Sequence, residues 1–261
     1  MNTPFLAPQQ KNLIGIYGGV GPLAHIEFEK LLLSENYARG ARRDQDHPSW
    51  VLVSGSGTPD RTSSLLGHTD EALPPMISCA KTIEQSGATC MFVICNTAHG
   101  YYSQVQKELS IPWIHLMQLT AKAITTQNPM VKKVGILGTD ATVQLRLYHD
   151  ALESASLTPI APAVGSQTQQ MVMDAIYHPE FGVKSTGAAV STTAVENLVH
   201  GAEWCREQGA EVVIAACTEI SVALTPAVYT KIPIIDPLII AANTALDIAF
   251  GLQNPDDFVV H

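Results

Sequence analysis

Long hydrophobic runs are missing from this 261-residue chain: none approaches the roughly 20 residues that a membrane-spanning helix needs, and no membrane partner is expected. Positive charge is scarce. Fifteen Lys and Arg stand against 24 Asp and Glu, a net charge of −9, which argues against nucleic acid or an anionic membrane surface as a partner. Paired cysteine spacings are also lacking. Five cysteines, an odd number with no C-x-x-C, read as reduced thiols in a cytosol rather than a disulfide framework. The scattered histidines and cysteines show no metal-ligand spacing, so no metal is expected. The opening MNTPFLAPQQKN has no basic region followed by a hydrophobic core. Residues 1–11 therefore read as a polar tail without a secretory signal, and a cytoplasmic location is expected.

What the chain has instead is a repeated strand that ends on a thiol. GATCMFVICNTAH (Gly87–His99) and GAEVVIAACTEI (Gly209–Ile220) share a leading glycine and an apolar run, with Cys95 and Cys217 in matching places. Runs rich in Val and Ile read as buried parallel strands. The residues that follow, Asn96-Thr97 and Thr218-Glu219, suit the cap of a helix. Gly135, Cys217 and Ile232-Pro233 lie about 120 residues after Gly15, Cys95 and Ile111-Pro112, and three landmarks at one offset argue for a duplicated half.

Each half reads as a four-stranded parallel sheet with helices on both faces. A short strand followed by a glycine-rich turn is expected over Asn12–Gly21, and further strands at Trp50–Ser54 and Trp113–Leu116. Helices are expected from Pro22 to Ala38, Thr69 to Ser86 and His99 to Leu109. The stretches Gly55–Gly67 and Gly165–Gly187 read as long functional loops. The last helix, Pro237–Gly251, is expected to return to the first half. One lobe would then hold residues 12–117 with 238–261, and the other 118–237.

Open α/β sheets gather ligands at the carboxyl ends of their strands. Two lobes related by an approximate twofold would therefore turn Cys95 and Cys217 toward each other across a cleft. A disulfide, a metal site and burial as small hydrophobes are the competing readings, and burial is the one adopted for Cys79, Cys90 and Cys205. Two opposed thiols suit proton transfer at both faces of one carbon, one acting as thiolate base and the other as thiol acid. A helix start after each cysteine would favour the thiolate. Asn96, Thr97 and Thr218 can donate to carboxylate oxygens. Glu219 either tunes Cys217 or answers the helix dipole, and His99 either orients the cysteine or substrate or caps a helix. Arg61 in TPDRT and Lys184 in the matching loop would anchor two carboxylates. The glycine turn Gly18-Gly19-Val20-Gly21 could offer backbone N–H groups to an anion. The second strand ends in Ser-Gly-Ser with no acidic residue for a ribose, so no nicotinamide cofactor is expected.

These stretches resemble the aspartate/glutamate racemase family of cofactor-independent amino-acid racemases. GIYGGVGP resembles its opening loop, with Val20 where methionine is usual, and TPDRT resembles its I-P-D-R-T carboxylate loop. CNTAH and CTEI resemble its two cysteine motifs, and GILGTDAT the start of its second lobe. The resemblance implies two pseudo-symmetric Rossmann-like α/β lobes with the active site in the cleft between them. It implies Cys95 and Cys217 as catalytic acid and base, with Gly19, Val20, Arg61, Asn96, Thr97, Thr139, Lys184 and Thr218 around a small dicarboxylic amino acid. A homodimer is implied in the same way. The alternatives are a cysteine-dependent diacid isomerase or decarboxylase, and a two-lobed anion-binding protein without chemistry.

Overall fold

Helices and strands alternate along the chain in a computed structural model that describes residues 9–258 apart from 188 and 226. Most of the expected amino-terminal tail, residues 1–8, lies outside the described residues, as do the last three. The first half runs β1 (Ile14–Gly18), α1 (Pro22–Ala38), β2 (Trp50–Ser54), α2 (Arg61–Leu66), α3 (Leu73–Gln85), β3 (Cys90–Val93), α4 (Tyr102–Gln106) and α5 (Leu116–Gln127). The second half runs β4 (Lys133–Gly138), α6 (Asp140–Gln144), α7 (Leu147–Ser154), β5 (Thr158–Ile160), α8 (Gln167–Tyr177), α9 (Val183–Thr186), α10 (Thr192–Glu207), β6 (Val212–Ala216), α11 (Thr218–Ala223), β7 (Ile234–Ile235) and α12 (Pro237–Ala249).

Both sheets are wholly parallel. The first has the order β2-β1-β3 and the second β5-β4-β6-β7. In each, the first strand of the half sits between its neighbours, so the thiol-bearing strand flanks it in both. Gly15 in β1 and Gly135 in β4 show why the duplication reaches single residues. A Cβ on Gly15 would overlap Ile83 of α3, and one on Gly135 would come within 3.0 Å of Cys205 Cβ on α10. Each glycine lets a helix pack close against its sheet.

The inner faces of the two sheets share one apolar core built from β1, β3, β4 and β6 with α1, α5, α7 and α12. Separate clusters fill the outer faces, beneath α8 and α10 on one side and α3 on the other. Helix α12 is apolar over most of its length and packs against α1, where Arg39 Nη1 meets Asp247 Oδ1 at 2.6 Å.

Several elements differ from expectation. The fourth strand of the first half is reduced to one parallel bridge, Met91 to Trp113, because the chain turns into α5 at Leu116. Helix α3 starts at Leu73, where Pro74 at the second position presets the first turn, and not at Thr69. The expected His99–Leu109 helix opens as a 3-10 turn, Thr97–Tyr101, before the short α4. The two expected long loops are partly helical. Gly55–Gly67 contains α2, and Gly165–Gly187 contains α8 and α9. Ser166 caps α8 by accepting from the Gln169 N–H, and Val172, Ala175 and Ile176 line its buried face.

Candidate active site

Cys95 follows β3 at the mouth of the first sheet, and its carbonyl is held by His99. The imidazole Nδ1 lies 3.0 Å from the Cys95 carbonyl and 3.2 Å from that of Asn96. Its Nε2 lies 3.2 Å from both the Trp113 indole N–H and the Leu116 backbone N–H. Two carbonyls on one nitrogen and two donors on the other require a neutral ring protonated at Nδ1. Burial, reinforced by the neighbouring His115, pushes His99 down to about 3. Of the two roles open to His99, the hydrogen bonds support backbone positioning of the Cys95 turn.

The residues after Cys95 tie the two halves together. Asn96 Oδ1 accepts from the Tyr148 hydroxyl of α7 at 2.6 Å, while its buried Nδ2 has no partner. Thr97 shares hydroxyl contacts with Thr139 at 3.0 Å and Thr142 at 3.2 Å, and these two lie 3.1 Å apart.

Arg61, the first residue of α2, aims Nη1 at the carbonyls of Thr58 and Pro59, 3.1 and 3.0 Å away. Its Nε is buried without a partner. Burial works against the guanidinium charge, but the Cys95 sulfur and the Asp60 carboxylate outweigh it and hold Arg61 above its ordinary value.

Cys217 caps α11 in an extended conformation. Its Sγ donates to Glu219 Oε2 at 3.0 Å, and the Thr218 hydroxyl donates to the same oxygen at 3.1 Å. Lys184 Nζ donates to the other oxygen, Oε1, at 2.5 Å. Burial pushes the Cys217 thiol well up, and the Glu219 charge adds to it. This corrects the expectation that a helix start would make this cysteine a ready thiolate. Burial also disfavours the Glu219 carboxylate, yet Lys184 and the donated hydrogen bonds carry it below its ordinary value. Lys184 is thus paired with Glu219, and its charge also lies 5.5 Å from the Tyr177 ring centre.

A cavity of about 490 Å³ opens where these groups meet. Gly19, Arg61, Lys184, Thr218 and Glu219 line it, with Thr58, Asp60 and the apolar Leu23, Val183 and Val222. Cys95 and Cys217 are each one contact back from that wall, through Arg61 and Glu219, and the two sulfurs influence each other electrostatically. Asn96, Thr97 and Thr139 form a buried layer away from its lining. Val20 is buried in the apolar cluster that also holds Tyr17 and Cys95. The Gly19 N–H, expected to serve an anion, donates instead to His25 Nδ1 at 3.1 Å. Among the described residues no three His, Cys, Asp or Glu side chains gather as a metal site.

Two residues escaped the sequence reading, Asp60 on the cavity wall and Tyr177 bonded to it. Tyr177, at the end of α8, donates to Asp60 Oδ2 at 3.1 Å and lies 3.1 Å from the Thr62 hydroxyl, so it links the two halves beside both thiols. Burial, followed by the nearby Cys217 and Asp60, raises its phenol. Asp60 adjoins Arg61 and could have been noticed as a charge; Tyr177 lay in a stretch read as loop.

A two-lobed α/β protein with one thiol at each of two equivalent strand ends is the class that fold and site define. The chain matches the Asp/Glu/Hydantoin racemase family over residues 18–245 and belongs to it. It is 29% identical to the broad specificity amino-acid racemase RacX of Bacillus subtilis, covering 93% of this chain and all of that one. The structure of Picrophilus torridus aspartate racemase is similar at 28% identity and a TM-score of 0.76, covering 92% of this chain and 95% of that one. Glutamate racemase of Francisella tularensis, solved with D-glutamate, shares the fold at 15% identity and a TM-score of 0.61, covering 95% and 83% of the two chains.

Proposed function

We propose that this chain racemises an acidic α-amino acid, aspartate or glutamate, by proton transfer between Cys95 and Cys217 without a cofactor. The observation that carries this reading is that two thiols at duplicated strand ends converge on one cavity, each through a charged partner. The names of the relatives, amino-acid racemase and aspartate racemase, support it.

In this reading Arg61 takes the substrate α-carboxylate, and the Asp60 carboxylate receives the ammonium group. Neutralising the carboxylate lowers the cost of the enolate-like charge that builds as the α-proton leaves. One sulfur removes that proton as thiolate. The opposite sulfur delivers its own proton to the other face, which inverts the centre and exchanges the roles of the two thiols. Five free cysteines support a reducing, cytoplasmic setting, and the family resemblance implies a homodimer.

Proton NMR of L-aspartate and L-glutamate in deuterated, reducing buffer tests the proposal. Loss of the α-proton signal with appearance of the D-enantiomer is expected. Cys95→Ser and Cys217→Ser should each abolish racemisation. Racemisation that persists in both variants would overturn the two-thiol mechanism.

A further inference from the structure

A histidine in the first turn of α1 reaches back over the glycine turn that precedes the helix. Helical side chains lean toward the N-terminus. His25 accordingly places its Nδ1 3.1 Å from the Gly19 N–H. A backbone N–H can only donate, so this Nδ1 carries no proton, and the neutral ring is protonated at Nε2. Gly21, the cap residue of α1, has no side chain with which to hold the turn. The buried imidazole also presses on it, since a Cβ on Gly18 would lie 2.6 Å from His25 Cγ. Gly19 stands at φ +79°, a conformation that glycine adopts without strain. A Cβ there would lie 2.6 Å from the backbone nitrogens of both Gly55 and Ser56. The turn thus meets an imidazole through Gly18 and the start of the next loop through Gly19.

A chain of hydrogen bonds runs from that turn to Arg61. The Gly18 carbonyl accepts from the Gly55 N–H at 3.0 Å, and the Gly55 carbonyl accepts from the Thr58 N–H at 2.9 Å. The Thr58 carbonyl then accepts from Arg61 Nη1 at 3.1 Å. The Thr58 hydroxyl lies 2.8 Å from the Tyr17 hydroxyl of β1, which ties the middle of the chain to the sheet. We propose that His25 is a positioning residue for Arg61: its bare Nδ1 holds the Gly19 N–H, which locks the glycine turn against residues 55–58 and so sets the guanidinium at the cavity. This inference rests on the reading of Arg61 as the contact for the substrate carboxylate.

Without the acceptor, the Gly19 N–H is buried and unpaired, and the turn must move to recover a partner. Gly19 has no room to move toward residues 55–56 without displacing them, because the two backbones are already in close contact. The shift therefore passes to Thr58 and on to Arg61. A guanidinium that has to meet a carboxylate with aligned N–H groups tolerates little displacement. The bond to His25 also withholds the Gly19 donor from the substrate, which leaves Arg61 to receive the carboxylate.

Two substitutions separate the acceptor from the packing. His25→Asn puts Oδ1 where Nδ1 stood, because both atoms are bonded to Cγ, and so keeps the bond to Gly19. His25→Leu fills the site but offers no acceptor. Asn is the smaller side chain, so a role in packing alone would make it at least as harmful as Leu. Amide hydrogen exchange by mass spectrometry is followed on peptides spanning residues 55–60, with Val212–Ala216 of β6 as the control. In His25→Leu, exchange at 55–60 should rise at least about tenfold, and in His25→Asn it should stay within about threefold of wild type. The control should not change in either. In the racemisation assay kcat/KM should fall at least about tenfold in His25→Leu and return to within about threefold of wild type in His25→Asn. In an Arg61→Lys background the added effect of His25→Leu should shrink to less than about twofold, since residues that act through one another are not additive.

Equal damage in His25→Asn and His25→Leu would overturn the proposal. So would unchanged exchange at 55–60 in His25→Leu, or an equal rise in the β6 control, the mark of a merely loosened fold. Additive losses in the Arg61→Lys background would overturn it as well. If His25→Leu fails to fold by circular dichroism, proton–nitrogen correlation NMR of the labelled wild type decides: a proton on His25 Nδ1 refutes the bond, and a bare Nδ1 supports it. Exchange and NMR are read without turnover, so their failure is distinct from a wild type that does not racemise.

Discussion

Acidifying the protein from pH 7 to pH 5 should cost it about 3 kcal/mol of stability, and His99 should account for most of that loss. Burial, with repulsion from His115, holds His99 at about 3. Burial holds His115 at about 4. Both lie far below the 6.5 of a free imidazole. A ring that stays neutral in the folded chain but gains a proton in the unfolded one penalises folding at low pH. The stabilising contribution is therefore complete above pH 6.5, and it declines as pH falls toward 4 for His115 and 3 for His99. At pH 5, about 1.5 pH units below the ordinary imidazole value, His99 contributes about 2 kcal/mol of loss at 1.36 kcal/mol per unit. His115 is partly exposed, so solvent screening trims its share to about 1 kcal/mol. Against a typical total of about 5–15 kcal/mol this is a large change.

Urea unfolding at pH 5, 6 and 7 checks it, followed by tryptophan fluorescence, since Trp113 packs 4.9 Å from the His99 ring. In His99→Gln the hydrogen bonds are only partly replaced, which should cost about 1–3 kcal/mol at pH 7. The same variant should show less than half of the wild-type pH dependence between 7 and 5. A wild-type stability that is flat over this range would refute the reasoning, as would an undiminished slope in His99→Gln.

Tyr148→Phe leaves Asn96 Oδ1 without its donor at 2.6 Å. Stability should fall by about 1–3 kcal/mol and kcat/KM by about tenfold, measured by urea midpoint and racemisation rate. Gly15→Ala and Gly135→Ala drive a methyl into Ile83 on α3 and Cys205 on α10, in matching places of the two halves. Each should lower the unfolding free energy by about 1–3 kcal/mol, and thermal midpoints that stay at the wild-type value would contradict the close helix–sheet packing.

The elements read correctly from the chain are those whose signals are local. Pro22 opened α1, the β-branched run Trp50–Ser54 formed β2 as read, and the repeated glycine, apolar run and cysteine marked two equivalent parallel strands. Strand period, a proline at a helix start and a capping residue act within a few positions, so a linear reading contains them. The stretch Gly165–Gly187 shows where that reading fails. Its polar Ser, Gln and Thr residues suggested loop, but α8 forms because Val172, Ala175 and Ile176 find an apolar face on α10 and β4 to cover.

The charges around the cavity obey the same division. The chain by itself marked Cys95, Cys217, Arg61, Lys184 and Glu219 as chemically capable side chains. Their pairing required the fold: Lys184 meets Glu219 across 35 positions of chain, Tyr148 meets Asn96 across 52, and Tyr177 meets Asp60 across 117. A hydrogen bond depends on distance in space and on exclusion of water, and neither quantity is written in residue order. Duplication made the two strand ends alike, and folding delivered different side chains to them, Glu219 and Lys184 beside Cys217 and Arg61 beside Cys95.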